Sequence, residues 1–238
     1  SDFMPLYGYY FDPTYILVVV GAVICLIASA RVNTTFNKYN RVRSMSGMTG
    51  AQAAEHILHT AGIYDVSVQH ISGNLTDHYD PSSKVLRLSE ATHDNASVAA
   101  VGVAAHECGH ALQHAQGYMP LKIRGSLVPV ASLGSYAGIL LFMVGLFFTS
   151  GMGNTLLTIG ILLFSAAVLF QLVTLPVEFN ASARAVTLLE STGILGQQEL
   201  KSSKKVLRAA ALTYVAGAAT AILQLVRLLM IAGGRNRD

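Results

Sequence analysis

Residues 96–116 read ASVAAVGVAAHECGHALQHAQ, a run of mostly helix-forming residues with no internal proline. Either Asp94 or Asn95 could cap the N-terminus of such a helix. Gly117 and Pro120 follow the run and provide the expected stop signals. The sequence therefore predicts one helix over residues 96–116, and the rest of the fold is inferred outward from it.

His106, Glu107 and His110 form an H-E-x-x-H motif inside this predicted helix. Residues four apart lie one turn apart on the same helix face, so both imidazoles can bind one Zn²⁺. Glu107 then points beside the ion, where its carboxylate can accept a proton from a zinc-activated water. A chance arrangement is the alternative, but a buried, alanine-rich helix has little structural use for three neighbouring titratable groups. The motif therefore favours one catalytic zinc per chain.

A catalytic zinc usually takes three protein ligands and keeps a fourth position for water. His114 is one candidate, but it lies about 6 Å beyond His110 along the helix axis and is better explained as a polar residue at the membrane surface. Glu178 is the other candidate, and it directly follows a long apolar run. An acid at such a position is costly unless it is paired, and a metal is a sufficient partner. We therefore expect Glu178 to be the third ligand.

Polar residues after Glu178 are candidates for supporting roles. Ser182 lies one turn further and could hydrogen-bond a ligand histidine. Arg184 could balance a carboxylate or polarise the substrate carbonyl, and Asn180 could hydrogen-bond a peptide backbone. For all three, a plain helix-surface role is an equally good explanation. Cys108 should point away from the histidine face and act as an inert, nearly apolar side chain.

The composition indicates a membrane protein: of 238 residues, 52% are hydrophobic and only 12% are charged. Four apolar runs approach the length that spans a bilayer, at residues 15–30, 127–149, 156–177 and 209–232. We interpret the first as a retained anchor rather than a signal peptide, because no basic residue precedes it. The last contains Arg227, so it either spans the membrane or only associates with it.

The basic residues predict the orientation. Those after the first apolar run are Arg31, Lys38, Arg41 and Arg43, whereas the charges before it are Asp2 and Asp12. The positive-inside rule then places residues 31–125 in the cytoplasm of a multi-pass protein of the plasma (inner) membrane. The predicted order is an N-terminal segment with the first span (1–30), a cytoplasmic metalloprotease domain (31–125), a transmembrane hairpin (126–177), a cytoplasmic segment with the third ligand (178–208) and a C-terminal transmembrane or membrane-associated helix (209–238).

The polar region carries its own secondary-structure signals. Thr49 and Gln52 have the spacing of a capping box and open a helix that runs to Thr60. Two β-like runs follow at residues 66–71 and 84–89, with a third strand expected over residues 75–79. We expect a small antiparallel sheet whose edge strand pairs with an extended peptide. Residues 85–89 are the nominated strand, although the sequence does not determine which strand lies at the edge. The predicted fold class is α+β: a multi-span helical membrane protein with a small zincin-like (gluzincin) domain.

Other histidines are best explained as solvated side chains: His56, His59, His70 and His93. His78, with Asp80 close by, could instead line the cleft. The sequence contains no glycine-rich phosphate loop and no basic stripe with interleaved aromatic residues, so we expect no nucleic-acid partner.

Five stretches together resemble one known family. They are DHYDP at residues 77–81, VLRLS at 85–89, VAAHECGH at 103–110, PLKIR at 120–124 and LPVEFNAS at 175–182. The chain resembles the YugP-like family of bacterial membrane zinc metallopeptidases, and is more distantly similar to HtpX-type and CaaX-prenyl proteases. The resemblance implies that His106, His110 and Glu178 bind zinc and that Glu107 is the general base. In the distant relatives an Asp stands four residues after the glutamate, where this chain has Ser182.

The function expected from these observations is a zinc endopeptidase that hydrolyses membrane or membrane-proximal proteins, with the lipid bilayer as its other partner. One alternative is a zinc-binding scaffold without activity, although the intact Glu107 argues against it. A small transporter is a second alternative, and it should carry charges at mid-depth of its spans. Only Gln171 and Arg227 are strongly polar there, and both lie toward the ends of their runs.

Overall fold

The computed structural model describes residues 12–148 and 150–235. The helices are α1 (Tyr15–Tyr39), α2 (Gly50–Thr60), α3 (Glu90–His93), α4 (Val98–Ala115), α5 (Met119–Leu133), α6 (Ile139–Leu146), α7 (Gly151–Ser191) and α8 (Gln197–Arg235). A π-helical turn, Gly134–Gly138, joins α5 to α6. The strands are β1 (Ser67–Ile71), β2 (His78–Asp80) and β3 (Val85–Ser89). Asp2 and Thr149, which the predictions of orientation and of the second span used, lie outside the described residues.

The chain divides into two compact units. The site unit comprises residues 28–123 and 174–214, and the apolar unit comprises residues 1–27, 124–173 and 215–238. The apolar unit contains most of the long apolar runs. Among the described residues, four helical segments are long and apolar enough to cross a membrane: Tyr15–Tyr39, Met119–Leu146, Gly151–Ser191 and Gln197–Arg235. The last predicted run is therefore part of a helix of spanning length.

Helix α4 forms the centre of the site unit. Its valines and alanines, such as Val98, Val101 and Ala104, are completely buried against α2, the sheet and neighbouring helices. Small side chains on every face let several elements approach one helix closely, which explains the alanine-rich sequence. Each fully buried valine contributes about 1.5–3 kcal/mol relative to an exposed one. The functional motif is therefore held inside the core rather than on a loop.

The ends of α4 differ from the prediction in one respect. Ser97, rather than Asp94 or Asn95, is the N-cap, and its hydroxyl accepts a hydrogen bond from the Ala100 amide at 3.0 Å. The side-chain nitrogen of Asn95 donates instead to Oδ1 of Asn40 at 2.8 Å. The helix stops at the predicted place, where Gly117 adopts a φ of +66°. The capping box of α2 is confirmed: Thr49 and Gln52 bond each other's backbone amides.

The sheet is mixed, so the prediction of an antiparallel sheet is wrong. Its strand order is β1-β3-β2, with β1 parallel and β2 antiparallel to β3. Strand β3 is central rather than at the edge, because it pairs with both β1 and β2, and most of its residues are buried. The expected strand over residues 75–79 is shifted to His78–Asp80, since Leu75 has a φ of 55° that is incompatible with extended backbone. The outer strands are therefore β1 and β2.

Candidate metal centre

Helix α4 presents the two motif histidines on one face, as the four-residue spacing requires. The rings of His106 and His110 are perpendicular, with centroids 4.9 Å apart. His110 is buried and His106 is partly accessible. Two imidazoles thus face the same small volume at the surface of α4.

Glu178 on α7 is the third side chain that faces this volume. Its Oε2 atom lies 2.9 Å from Nε2 of His106 and 3.3 Å from Nε2 of His110. The ligand atoms of these three residues all lie within 4.8 Å of one another, and only 4% of the glutamate is exposed. Residues separated by almost seventy positions in the sequence are thereby brought to one point.

A glycine allows α7 to come this close. A Cβ atom on Gly109 would lie 2.4 Å from the carbonyl oxygen of Ala181, three residues after Glu178. No side chain fits in that gap, so the variable position before His110 has to be glycine for α4 and α7 to pack as they do. The motif is therefore better described here as H-E-x-G-H.

Each histidine is oriented through its other ring nitrogen. Nδ1 of His106 lies 2.8 Å from the Ser182 hydroxyl, and Nδ1 of His110 lies 2.9 Å from Oε1 of Gln113. A carboxamide oxygen can only accept, so Nδ1 of His110 donates its proton to Gln113. Without a metal, a protonated Nε2 donates to Glu178; a bound metal would take the lone pair of Nε2 in place of that proton. The serine hydroxyl can hold Nδ1 of His106 in the same way, so Nε2 is the metal-facing nitrogen of both rings.

Gln113 is in turn fixed by a hydrogen-bond network on α7. Its amide group donates to the carbonyl oxygen of Val177 and to Oδ1 of Asn180. Arg184 donates to the same Asn180 oxygen at 2.7 Å and also to Gln116. Sequence analysis missed Gln113, although its position one turn after His110 was a usable signal. The structure places Asn180 and Arg184 in this network, behind the histidine rather than in contact with the space around Glu107.

The charges at the site act on His110. Burial disfavours the imidazolium, but the hydrogen bond with Glu178 and the negative charges of Glu107 and Glu178 outweigh it and raise the pKa of His110. Cys108 lies on the opposite side of α4, where its thiol points to the carbonyl oxygen of Ala54. Complete burial raises the pKa of that thiol. Cys108 is therefore an inert core residue, as its place in the helix predicts.

The site opens into a cavity of about 230 Å³ that both His106 and Glu107 line. The other lining residues are Val32, Leu75, Asp77, Val103, Leu207, Ala210, Thr213 and Tyr214. Asp77, which sequence analysis did not single out, accepts hydrogen bonds from the amide and hydroxyl of Ser89 at the end of β3. The cavity is mostly apolar, with a few polar groups beside the histidines, as small-molecule and peptide clefts usually are.

The donor set fits zinc. Two imidazole nitrogens and one carboxylate oxygen are a common ligand set for catalytic zinc, and tetrahedral ligands of one ion lie about 3.4 Å apart. The two nitrogen–oxygen distances here are 2.9 and 3.3 Å. A family model described as "Putative neutral zinc metallopeptidase" matches residues 14–233. This chain belongs to that family.

The chain is similar to a protein of Bacillus subtilis (strain 168) that is described as "Putative membrane protease YugP". It is 45% identical over 226 residues, which cover 94% of this chain and 99% of the relative. No solved structure gives a significant match. The resemblance stated from the sequence motifs is thus confirmed, and membership of the zinc metallopeptidase family implies zinc as the metal.

Two further histidines named in the sequence analysis lie apart from the metallopeptidase residues. His114 is one turn too far along α4 and bonds the hydroxyl of Tyr79 at 2.8 Å, in a separate cavity. His78 on β2 is exposed and bonds the carbonyl oxygen of Thr76 and the guanidinium of Arg87. Its neighbour Asp77 is the member of this stretch that lines the cavity beside Glu107.

Proposed function

We propose that this chain is a zinc endopeptidase whose metal is held by His106, His110 and Glu178. The observation that supports this most directly is the convergence of these three ligand atoms within 4.8 Å, with Glu107 next to the first of them on α4. Three protein ligands leave the fourth position of a tetrahedral zinc open, which is the arrangement of a catalytic rather than a structural site.

Glu107 is the proposed general base. A bound zinc supplies the Lewis acid that lowers the pKa of water and polarises the peptide carbonyl. The Glu107 carboxylate accepts the proton of the attacking water and passes it to the nitrogen of the leaving amine. Its position on the cavity wall beside His106 gives it access to a peptide in that cavity. Glu107 also lies largely out of bulk water, with 8% of its surface exposed, where a charged base acts more strongly.

Tyr214 is our proposed second donor to the oxyanion. It lines the same cavity as Glu107, whereas Arg184 is held by Asn180 and Gln116 and does not line that cavity. A phenol that donates to the developing negative charge contributes about a hundredfold or more to kcat. Tyr214→Phe should therefore lower kcat by that factor and leave the zinc content unchanged. A full loss of bound zinc in Tyr214→Phe would exclude this role.

The substrate is proposed to bind in extended form along β2. This strand is an outer strand of the sheet, and Asp77, the residue before it, lines the cavity beside Glu107. An outer strand offers unpaired backbone groups to which an extended peptide can add. This replaces β3, which the sequence had favoured and which is central.

We place the site at the cytoplasmic face of the membrane. Arginine and lysine are enriched after the first apolar run and before the second and fourth runs. Such basic flanks usually lie on the cytoplasmic side of a membrane. The natural substrates would then be membrane proteins or flexible segments close to the bilayer. A cysteine-accessibility assay in intact cells tests this: a reporter cysteine at exposed Glu55 on α2 should react only with membrane-permeant reagents.

The function itself is tested by cleavage of an unstructured reporter protein by the detergent-purified chain. Glu107→Gln should keep its zinc and lose cleavage, because the ligands remain and the base is gone. Glu190→Gln, at an exposed position on α7, is the matched control and should cleave normally. Cleavage that persists in Glu107→Gln would refute the assigned base.

Two other functions predict different results for the same Glu107→Gln variant. An inactive zinc-binding scaffold would bind zinc in both variants and cleave with neither. A transporter would show a flux across vesicles that Glu107→Gln alters. The endopeptidase is favoured because the cavity places an intact carboxylate beside the proposed metal ligands.

A further inference from the structure

A second and larger cavity lies within the site unit. Its volume is about 700 Å³, and its wall is formed by residues of α1, α7 and α8. Most of the lining is apolar, and two of the lining side chains, Phe179 and Leu212, are 45% and 40% exposed. The cavity therefore offers a partly exposed apolar surface to a ligand.

The charged residues of this cavity are all basic. Arg31, Lys204 and Arg208 line it, and none of its lining residues is acidic. Within residues 12–148 and 150–235, these three side chains have no ion-pair or hydrogen-bond partner. Three unpaired cations around one apolar cavity repel each other, and an anion between them would remove that repulsion.

The position of these residues in the sequence indicates where the cavity lies. Arg31 directly follows the apolar run at residues 15–30, and Arg208 directly precedes the run at residues 209–232. Phe179 comes two residues after the run at 156–177. Residues that flank membrane spans lie at the depth of the lipid headgroups. The basic groups and Phe179 are therefore level with lipid phosphates, and Ala211 and Leu212, which lie inside the run at residues 209–232, are level with the start of the acyl chains.

We propose that this cavity binds one anionic phospholipid. Its phosphate lies between Arg31, Lys204 and Arg208, and the upper part of an acyl chain contacts Phe179 and Leu212. Free phosphate would satisfy only the basic groups and leave the apolar wall in water. A lipid satisfies both, and basic pockets between membrane helices are known to recognise lipid headgroups.

The lipid site shares a wall with the candidate metal centre. Ser182, whose hydroxyl lies 2.8 Å from Nδ1 of His106, is also a lining residue of the lipid cavity. Leu207 lines both this cavity and the one beside Glu107. A bound lipid therefore stabilises the helix face that orients a zinc ligand. This coupling rests on the proposed peptidase function, whereas lipid binding itself does not.

Binding is tested first, without any activity measurement, on the full chain in uncharged detergent. Phosphatidylglycerol should raise the thermal unfolding temperature, and phosphatidylcholine of the same chains should not. Replacing all three cations in Arg31→Gln/Lys204→Gln/Arg208→Gln should weaken the apparent Kd about a hundredfold, from about 1 kcal/mol per basic group. The matched control Arg41→Gln/Arg43→Gln/Lys201→Gln changes the net charge equally at exposed positions outside this cavity.

Three results would overturn the lipid site. Equal weakening in the two triple variants would mean diffuse electrostatic attraction, and an equal shift with inorganic phosphate would mean a simple anion site. Ala183→Trp keeps every charge but fills the cavity, so unchanged lipid binding in this variant would also overturn it. This variant keeps the test decisive if the triple variant does not fold.

The coupling is tested by reporter cleavage in phosphatidylcholine vesicles with and without phosphatidylglycerol. Cleavage should rise with the anionic lipid in the unmodified chain and in the control triple variant, but not in the cavity triple variant. If lipid binds and the chain cleaves equally in both vesicles, the coupling is wrong while the site stands. If lipid binds and no reporter is cleaved, the peptidase proposal fails and the lipid site stands.

Discussion

Replacing Gly109 with alanine gives a sharp test of how the metal centre is assembled. The new Cβ atom would lie 2.4 Å from the carbonyl oxygen, 3.0 Å from the carbonyl carbon and 3.1 Å from the Cα atom of Ala181. All three are backbone atoms, so no side-chain rotation can relieve the contact. The backbones of α4 and α7 have to separate.

The required separation is large compared with what a metal site tolerates. Ordinary carbon–oxygen contact needs about 3.4 Å, so the helices must move apart by about 1 Å. Zinc–ligand distances are defined to about 0.2 Å, so a 1 Å shift of Glu178 is several times too large. Overpacking a core of this kind also costs about 1–3 kcal/mol. We expect zinc affinity to fall about a hundredfold or more, in line with disruption of the groups that support a metal site.

The measurement is a zinc titration of the purified chain with a competing chelator, together with a thermal melt of the same samples. Gly125→Ala is the matched control, because a Cβ atom at this helical glycine meets nothing within 4 Å. The control should bind zinc and melt like the unmodified chain. If Gly109→Ala binds zinc with unchanged affinity, the close contact between α4 and Ala181 does not define the site, and the reasoning fails.

Three further outcomes are expected. Ser182→Ala should lower zinc affinity about 10–100-fold, because the His106 ring loses the hydrogen bond that orients it. Ser191→Ala changes an exposed serine on the same helix and should leave zinc affinity unchanged. Competition with a chelator measures both affinities. Gln113→Leu should lower zinc affinity similarly and destabilise the zinc-free chain by about 1–3 kcal/mol, because Nδ1 of buried His110 loses its acceptor. Equal denaturation midpoints for the variant and the unmodified chain would contradict this. Removing metal with EDTA should lower the melting temperature of the unmodified chain but not of His106→Ala, and zinc should restore it; an equal drop in both would mean that the metal binds elsewhere.

Local signals in the sequence were sufficient to predict helix α4, which carries the motif, and helix α2, which packs against it. The run of helix-forming residues and the glycine stop predicted α4, and the capping-box spacing of Thr49 and Gln52 predicted the start of α2. These features depend on residues within one or two helical turns. The position of Glu178 beside the two histidines agrees with the expectation that an acid at the end of an apolar run needs a compensating partner; its role as a zinc ligand stays a prediction.

The strand order and strand directions of the sheet could not be predicted from local sequence signals. Strand β3 reads like β1 in composition, and only pairing between distant residues decides that it is central and that β1 runs parallel to it. The positive φ of Leu75 prevents β2 from beginning at residue 75. A leucine gives no sequence signal for a positive φ, so this could not be predicted. The network of Gln113, Asn180 and Arg184 was likewise hidden, because it forms only after α4 and α7 pack together.

The distance in sequence between the proposed metal ligands has a consequence for synthesis. Glu178 lies 68 residues after His110, and both runs of the predicted hairpin come between them. A growing chain that has not yet reached α7 holds two of the three ligands and lacks the acceptors for Gln113. Domains are generally completed in the order of synthesis, so the zinc ligand set is finished only after the hairpin has been made. The proposed peptidase would therefore become active only after its membrane hairpin has been synthesised, so an incomplete chain could not cleave other proteins.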